Sequence, residues 1–380
     1  MFKIVQMLPA LGWGGAQVFC IQLCNELAKY PGYEVTLVSL YDHNSAHMST
    51  ELLDKRVRFI TLGKKKGFDA KTFKRVHNLL QEIKPDVVHT HLHSGYYGMM
   101  AYLMMNDSAM RKIHTFHSLA TKDAPWHGRL IYKYFFKKGI ICPVSISEEV
   151  FKGAIEEYGD CIKTVIHNGS VRVRCSSKFQ SVTETINSLK KNKDTKVLVN
   201  VGRIYKVKNQ QLIIDAMNIL EADGENAIAL IIGGLLGKDH PAYLQEDEEL
   251  YNQLIQNKPN SVHFIGNVNN VGDYLLNADA FLLPSLYEGL PISLLEAMSA
   301  GVVPVCTPVG GLLDIIKPDI GFLSKDLTIE SYLAALKVFL HSDNRTIEKL
   351  KANCRTVYQN EFSIESCAAK YDRLYHNYVV

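Results

Sequence analysis

A chain of 380 residues, 47% hydrophobic and 21% charged, is too long for one ordinary core and too apolar to be disordered, so two globular domains are expected. A net charge of +3 gives no reason to expect a nucleic-acid partner, and no apolar run approaches the roughly 20 residues of a membrane span. Eight cysteines without a CxxC pair, several inside apolar runs, read as reduced, buried thiols of a cytosolic protein.

The first element, "FKIVQML", reads as a strand, and the apolar segment before Pro9 is too short for a secretory leader. The turn "LGWGGAQ" follows, with Gly12, Gly14 and Gly15 ahead of a helix starting near Ala16. Such glycines either let the backbone approach an anion at a helix N-terminus or make a tight strand-to-helix turn, and the G-x-G-x-x-G fingerprint is absent. "AQVFCIQLCNELAKY" and "TFKRVHNLLQEI" carry helical spacing. "EVTLVSL", "VRFITL", "DVVHTH", "KIHTF" and "ICPVSI" read as strands. Apolar strands alternating with amphipathic stretches predict an α/β fold with a doubly wound parallel sheet.

The alternation pauses over residues 168–195, a polar stretch rich in Ser, Thr and Lys that reads as a linker. It restarts with "KVLVNVG", "AIALIIGG", "SVHFIG", "AFLLPS" and "VVPVCT", so a second sheet of the same kind is expected, with strand C-terminal ends facing a cleft. Arg203 and Lys208 follow the strand "VLVNV" at that edge. Such a pair can clamp a diphosphate or be a solvated loop. Glu288 and Glu296 lie in "PSLYEGLPISLLEAMSAG", eight residues apart and separated by a Gly and a Pro. Ser293 stands three residues before Glu296, the spacing of a capping box, with Gly301 ending the helix. The alternative is that the loop presents two carboxylates at two depths to a hydroxyl-rich ligand.

The segment "PSLYEGLPISLLEAMSAGVVPVCTPVGG" resembles the motif of two glutamates with seven residues between them of family 4 retaining glycosyltransferases, which have the GT-B fold of two Rossmann-like doubly wound domains. "VGRIYKVKN" is similar to that family's phosphate segment, "HFIGNVNNVGDYLLNADAFLLPS" to its base-binding region, "LGWGGAQ" to its glycine loop and "VIHNG" to its domain junction. The resemblance spans most of residues 1–320 and keeps these five elements in order. It implies an acceptor-side domain over 1–170, a nucleotide-sugar domain over 171–362, and a C-terminal helix at about 363–380 packing back on the first domain.

The same resemblance implies the roles. Arg203 and Lys208 would bind the diphosphate, Glu296 the ribose, and Glu288 the donor sugar near the reacting carbon. Gly289, Leu290, Pro291 and Ile292 would lie against sugar and phosphate. Gly14 and Gly15 would approach the diphosphate, and Gly266, Asn267 and Val268 would sit in the base-binding segment. His117, in "KIHTFHS", would reach the donor sugar, while His91 and His93 are acceptor-side candidates. The chain departs from the family at Gln17, where Glu is frequent, after "HNG", after the first Gly of "IIGGLLG", and at Asp314, where Glu is usual. These leave the acceptor and the donor open.

The implied reaction moves a sugar from a nucleotide-sugar, a UDP-sugar foremost, to a hydroxyl with retention, as a hexosyltransferase does. No cofactor or metal is expected: the acidic run "QEDEEL" falls in a helical stretch, and the two cations would do a metal's work. Residues 1–170 carry 21 Lys and Arg against 15 Asp and Glu, including "KKK" at 64–66 and "YKYFFKK" at 132–138. That charge suits either solubility or an anionic membrane surface. A saccharide or lipid-linked acceptor at the inner face of the cell membrane, in cell-surface polysaccharide or glycolipid assembly, fits the second. Two rivals are an epimerase of the same fold and a non-catalytic nucleotide-sugar-binding subunit. Incubation without acceptor separates the first, and the complete set Arg203, Lys208, Glu288, Glu296 argues against the second.

Overall fold

The structure is a computed structural model that describes the chain apart from residues 13, 43–49, 106–108, 125, 238–242 and 378–380. It divides into two compact units, Met1–Ser170 with Glu361–Val380, and Val171–Asn360.

The first unit holds β1 (Phe2–Leu8), β2 (Tyr33–Tyr41), β3 (Arg58–Lys64), β4 (Val87–His91), β5 (Arg111–Phe116), β6 (Cys142–Ser145) and β7 (Thr164–Val165). They form one sheet in the order β3-β2-β1-β4-β5-β6-β7, every pair parallel. β4 and β6 are buried along their whole length, which is why their sequence runs without polar alternation. The second unit repeats the plan with β8 (Lys196–Val201), β9 (Ala227–Ile232), β10 (Val262–Gly266), β11 (Ala280–Leu283), β12 (Val303–Cys306) and β13 (Phe322–Leu323). Its order is β10-β9-β8-β11-β12-β13, again all parallel.

In each sheet the winding reverses once, between β1 and β4 and between β8 and β11. The connections after these strands leave in opposite directions and open a crevice at the carboxyl ends, where open α/β sheets bind ligands. The glycine turn follows β1 and the His91 turn follows β4. Arg203 and Lys208 follow β8, and the glutamate loop follows β11. Topology alone therefore brings these residues to the reversal point of their own sheet, whereas His117 follows β5 and Gly266, Asn267 and Val268 lie at the end of the edge strand β10.

One sequence expectation changes. Residues 168–195 are not simply a linker, because Phe179–Leu189 is a helix that buries Val182 and Ile186. Two apolar residues four apart suffice to seat a helix whose other faces carry Ser, Thr and Asn. The helix Ile364–Asn377 is part of the first unit and buries one stripe, Ile364, Cys367, Ala368, Tyr371 and Tyr375. The chain reaches it beside Gly169, where a Cβ would lie 2.7 Å from the Cβ of Cys367 and 2.8 Å from the carbonyl oxygen of Ser363. A larger residue at 169 would push that helix off the sheet.

Candidate functional site

The second unit's site is assembled from the loops that leave its strand ends. Leu286 N donates to the Val207 carbonyl (2.8 Å) and Asn209 Nδ2 to the Pro284 carbonyl (3.1 Å), joining the loops after β8 and β11. Gly311 N donates to the Gly289 carbonyl (3.0 Å), which adds the loop after β12. Gly233 N donates to the Gly266 carbonyl (2.8 Å), so the turns after β9 and β10 are also tied. Gly233 has φ +123°, and a Cβ there would fall 2.2 Å from the Gly202 carbonyl oxygen, so these strand ends meet only around glycine. Asn267 is exposed beyond Gly266 and Val268 is half-buried.

Within this frame Lys208 Nζ donates to Glu288 Oε1 at 2.6 Å, and Ser285 Oγ donates to the same oxygen at 2.5 Å. Glu288 is 7% exposed, so it is no solvated loop acid. Two charge-assisted bonds hold it as an oriented acceptor. Arg203 lies with its guanidinium carbon 4.1 Å from the Tyr205 ring centroid and makes no ion pair among the described residues. Leu290, Pro291 and Ile292 are buried beneath the loop.

The capping box is not formed. Pro291 occupies the N-cap position of the helix Ile292–Ala300, no side chain caps it, and Ser293 lies inside its first turn. Proline's fixed φ suits that entry, and it starts the helix two residues earlier than the Ser-x-x-Glu spacing requires. Gly301 does end the helix, with φ +76°. The Glu296 carboxylate therefore makes no hydrogen bond or ion pair among the described residues. Burial pushes its pKa up to about 7, although the side chain as a whole keeps some exposure.

In the first unit Gly14 is the N-cap and Gly15 the first residue of the helix Gly15–Leu27, both exposed. A Cβ at Gly14 would meet Gln17 Oε1, so the Gln17 side chain folds back over the turn. The turn after β4 holds Leu92 at φ +54°, a left-handed conformation costly for a leucine and often found at functional sites. Next to it His91 is buried, and its Nδ1 lies 2.9 Å from His117 Nε2. His93 is exposed, edge-on to Tyr41, and does not join them. The turn carrying His117 is anchored by a buried pair, His114 Nε2 and Asp123 Oδ2 at 2.7 Å.

Sequence reasoning missed what lies behind His91. Gln6 Oε1 is 2.8 Å from His91 Nε2, and Gln6 Nε2 donates to Tyr375 Oη at 2.8 Å. Tyr375 Oη is 2.7 Å from His89 Nδ1, and His89 Nε2 is 2.7 Å from Thr115 Oγ1, which lies 3.0 Å from Tyr371 Oη. The available signals were a glutamine inside an apolar strand, histidines two apart in a strand, and tyrosines four apart in a helix.

The stretch 132–138 also reads differently. Tyr132, Phe135 and Phe136 are core residues of the helix Trp126–Lys137. Its exposed apolar side chains are Trp126 (69%), Leu130 (60%) and Tyr134 (54%), four apart and hence on one face. Lys137 and Lys138 stand exposed at its end.

Among solved structures the chain is similar to a glycosyltransferase from Rickettsia africae (TM-score 0.79, 18% identity, 100% of this chain and 98% of that one). It is also similar to Anabaena Alr3699/HepE in complex with UDP (TM-score 0.76, 16% identity, 98% and 99%). The fold is that of the GT-B glycosyltransferases. Residues 13–169 match the model of Glycosyltransferase Family 4 and residues 181–357 that of Glycosyl transferases group 1, and the chain belongs to this family of glycosyltransferases. It is 28% identical to the Escherichia coli UDP-Gal:alpha-D-GlcNAc-diphosphoundecaprenol alpha-1,3-galactosyltransferase, over 82% of this chain and 80% of that protein. It is 26% identical to the Staphylococcus aureus capsular polysaccharide biosynthesis glycosyltransferase CapH, over 78% and 79%.

Proposed function

We propose that this glycosyltransferase moves a hexose from a UDP-sugar to a hydroxyl of a saccharide or lipid-linked acceptor, with retention and without a metal, in cell-surface polysaccharide or glycolipid assembly. The carrying observation is the cross-tied set of loops in the second unit, which gathers two cations and two carboxylates at one sheet reversal. The names of the Escherichia coli and Staphylococcus aureus relatives support the donor and the setting.

The chemistry follows from charge. As the bond to the sugar breaks, negative charge grows on the diphosphate, and Arg203 with Lys208 would stabilise it from fixed positions. An ammonium has three donors, so Lys208 can keep Glu288 and still meet a phosphate oxygen. Glu288 would accept from hydroxyls of the donor sugar. Its Oε1 already receives two donors, which favours an orienting group over a covalent nucleophile. Retention would then come from the leaving phosphate taking the acceptor's proton on the departing face. Glu296 would take the ribose hydroxyls, and Gly14 and Gly15 would approach the diphosphate.

The test is a thermal-shift panel of UDP-, GDP- and ADP-sugars, followed by proton NMR of the product formed from the one that binds. A ligand at 100 times its dissociation constant should stabilise by about 2.7 kcal/mol. The expected product keeps the donor's anomeric configuration, and the rate survives EDTA. An inverted product, or a rate abolished by EDTA and restored by magnesium, would refute the reading. Sugar interconversion without acceptor would instead identify an epimerase.

We infer a membrane-side location at the cytoplasmic face from the helix Trp126–Lys137. Trp126, Leu130 and Tyr134 would enter the interfacial layer while Lys137 and Lys138 meet anionic headgroups, a contribution of about 1 kcal/mol per basic residue. The protein should float with phosphatidylglycerol vesicles at low salt. Trp126→Ser with Leu130→Ser should abolish flotation, and equal flotation of both forms would exclude this face. No helix among the described residues is long and apolar enough to cross a membrane.

A further inference from the structure

The chain of buried polar groups behind His117 has a direction. Gln6 presents its amide oxygen to His91 Nε2, and an amide oxygen only accepts, so His91 carries its proton on Nε2. Burial first, then the neighbouring His89, His117 and His114, holds the His91 pKa well below the usual range, so the ring is neutral with a single N–H. Its Nδ1 is bare and accepts from His117 Nε2 at 2.9 Å. His117 is neutral as well, its pKa lowered to about 4 by burial, so its own Nδ1 is also bare. That Nδ1 is buried and has no hydrogen-bond partner among the described residues.

The far side of Gln6 is consistent with this orientation of the amide. Its Nε2 donates to Tyr375 Oη, which leaves the phenol proton for His89 Nδ1; His89 Nε2–H then donates to Thr115 Oγ1. Turning the Gln6 amide over would reverse every proton in the chain and place one on His117 Nδ1. A single side chain in β1, braced by the helix Ile364–Asn377, thus sets whether His117 offers an acceptor or a donor.

We propose that Gln6 is a positioning residue that holds His117 in the Nε2–H tautomer, leaving Nδ1 as a bare acceptor for a hydroxyl of the transferred sugar. The last clause rests on the reading of His117 as a donor-sugar contact. A buried acceptor without a partner selects for a ligand that brings a hydroxyl there, because a ligand lacking it leaves the nitrogen unsatisfied.

The experiment is a long-range 1H–15N spectrum of the full chain labelled with 15N-histidine, near pH 7.5, with His117 assigned by its loss in His117→Asn. His117 is expected with a protonated Nε2 and a bare Nδ1. In Gln6→Met, which keeps the side-chain length and removes both polar ends, the His117 signals should move to the average of two tautomers. Turnover should drop about fivefold, the weight of one hydrogen bond, with bare-UDP affinity unchanged. If Gln6→Met does not fold, Tyr375→Phe frees the amide to rotate and should give the same averaging. A proton on Nδ1 in the unmodified protein, or a His117 tautomer untouched by the substitution that folds, overturns the proposal. The donor reading is tested separately by adding UDP-sugar: a Nδ1 resonance that shifts with UDP-sugar and not with UDP supports it, and an unmoved resonance rejects that contact while the tautomer assignment stands.

Discussion

Lys208→Ala should lower affinity for a bare nucleoside diphosphate about ten- to a hundredfold, and it should also cost the fold about 3 kcal/mol. The second loss has nothing to do with ligand. Lys208 Nζ is 2.6 Å from Glu288 Oε1, with side-chain exposures of 17% and 9%. Removing the ammonium strands a largely dehydrated carboxylate with only Ser285 to satisfy that oxygen. Adding Glu288→Gln in the same chain removes the stranded charge, so the double variant should recover most of the stability and none of the affinity. Arg203→Ala is the control. Its guanidinium rests on Tyr205 and holds no ion pair among the described residues, so affinity should fall by a similar factor with stability nearly intact. Urea unfolding beside calorimetric titration of UDP reads both quantities. Normal UDP binding by Lys208→Ala would remove it from the site. A double variant no more stable than the single would deny the charge pair its structural weight.

Glu296 should make nucleotide binding pH-dependent around neutrality. With a pKa near 7 the carboxyl is about nine-tenths protonated at pH 6 and about nine-tenths ionised at pH 8. The ionised form is the better partner for two ribose hydroxyls, so UDP affinity should rise about tenfold between those values. Glu296→Gln should flatten that profile at the weaker level. Stability runs the other way. The folded pKa lies above the unfolded one of about 4.5, so this group's contribution is fully present below pH 4.5 and is lost as pH rises through 7. Glu296→Gln should therefore match the parent at pH 4.5 and exceed it at pH 8 by about 1–2 kcal/mol, allowing for residual solvent contact. A capping role would have predicted a stability loss instead. A flat parental binding profile would place the ribose elsewhere.

The sheets were legible because a strand buried on both faces writes itself as an unbroken apolar run, as in "AIALII". β7 and β13 were not, being two residues each with no pattern to show. Arg203, Lys208 and Glu288 could be named because they follow strands by a few residues, and strand ends are where parallel sheets deliver side chains. Their mutual geometry was hidden: nothing local says that a lysine 80 positions before a glutamate is its partner. Ser293 misled because a capping box is a spacing, and the same spacing fits a helix that proline starts earlier. The aromatic-basic stretch hid which of its aromatics face outward, because composition does not say which face of a helix is buried. The Gln6–Tyr375 contact spans 369 positions, beyond any local reading.

The helix Ile364–Asn377 gives the molecule an order of assembly during its own synthesis. The ribosome delivers β1 to β7 first, but the stripe that covers Gln6 and His89 is made only after the entire second unit. Until Tyr371 and Tyr375 arrive, the emerging first sheet holds polar groups that must stay hydrated, so its core cannot close. The second unit, later in translation, is continuous in sequence and can finish first. Its partner waits for the helix Ile364–Asn377, and until that helix is made those polar groups of the first sheet stay in water.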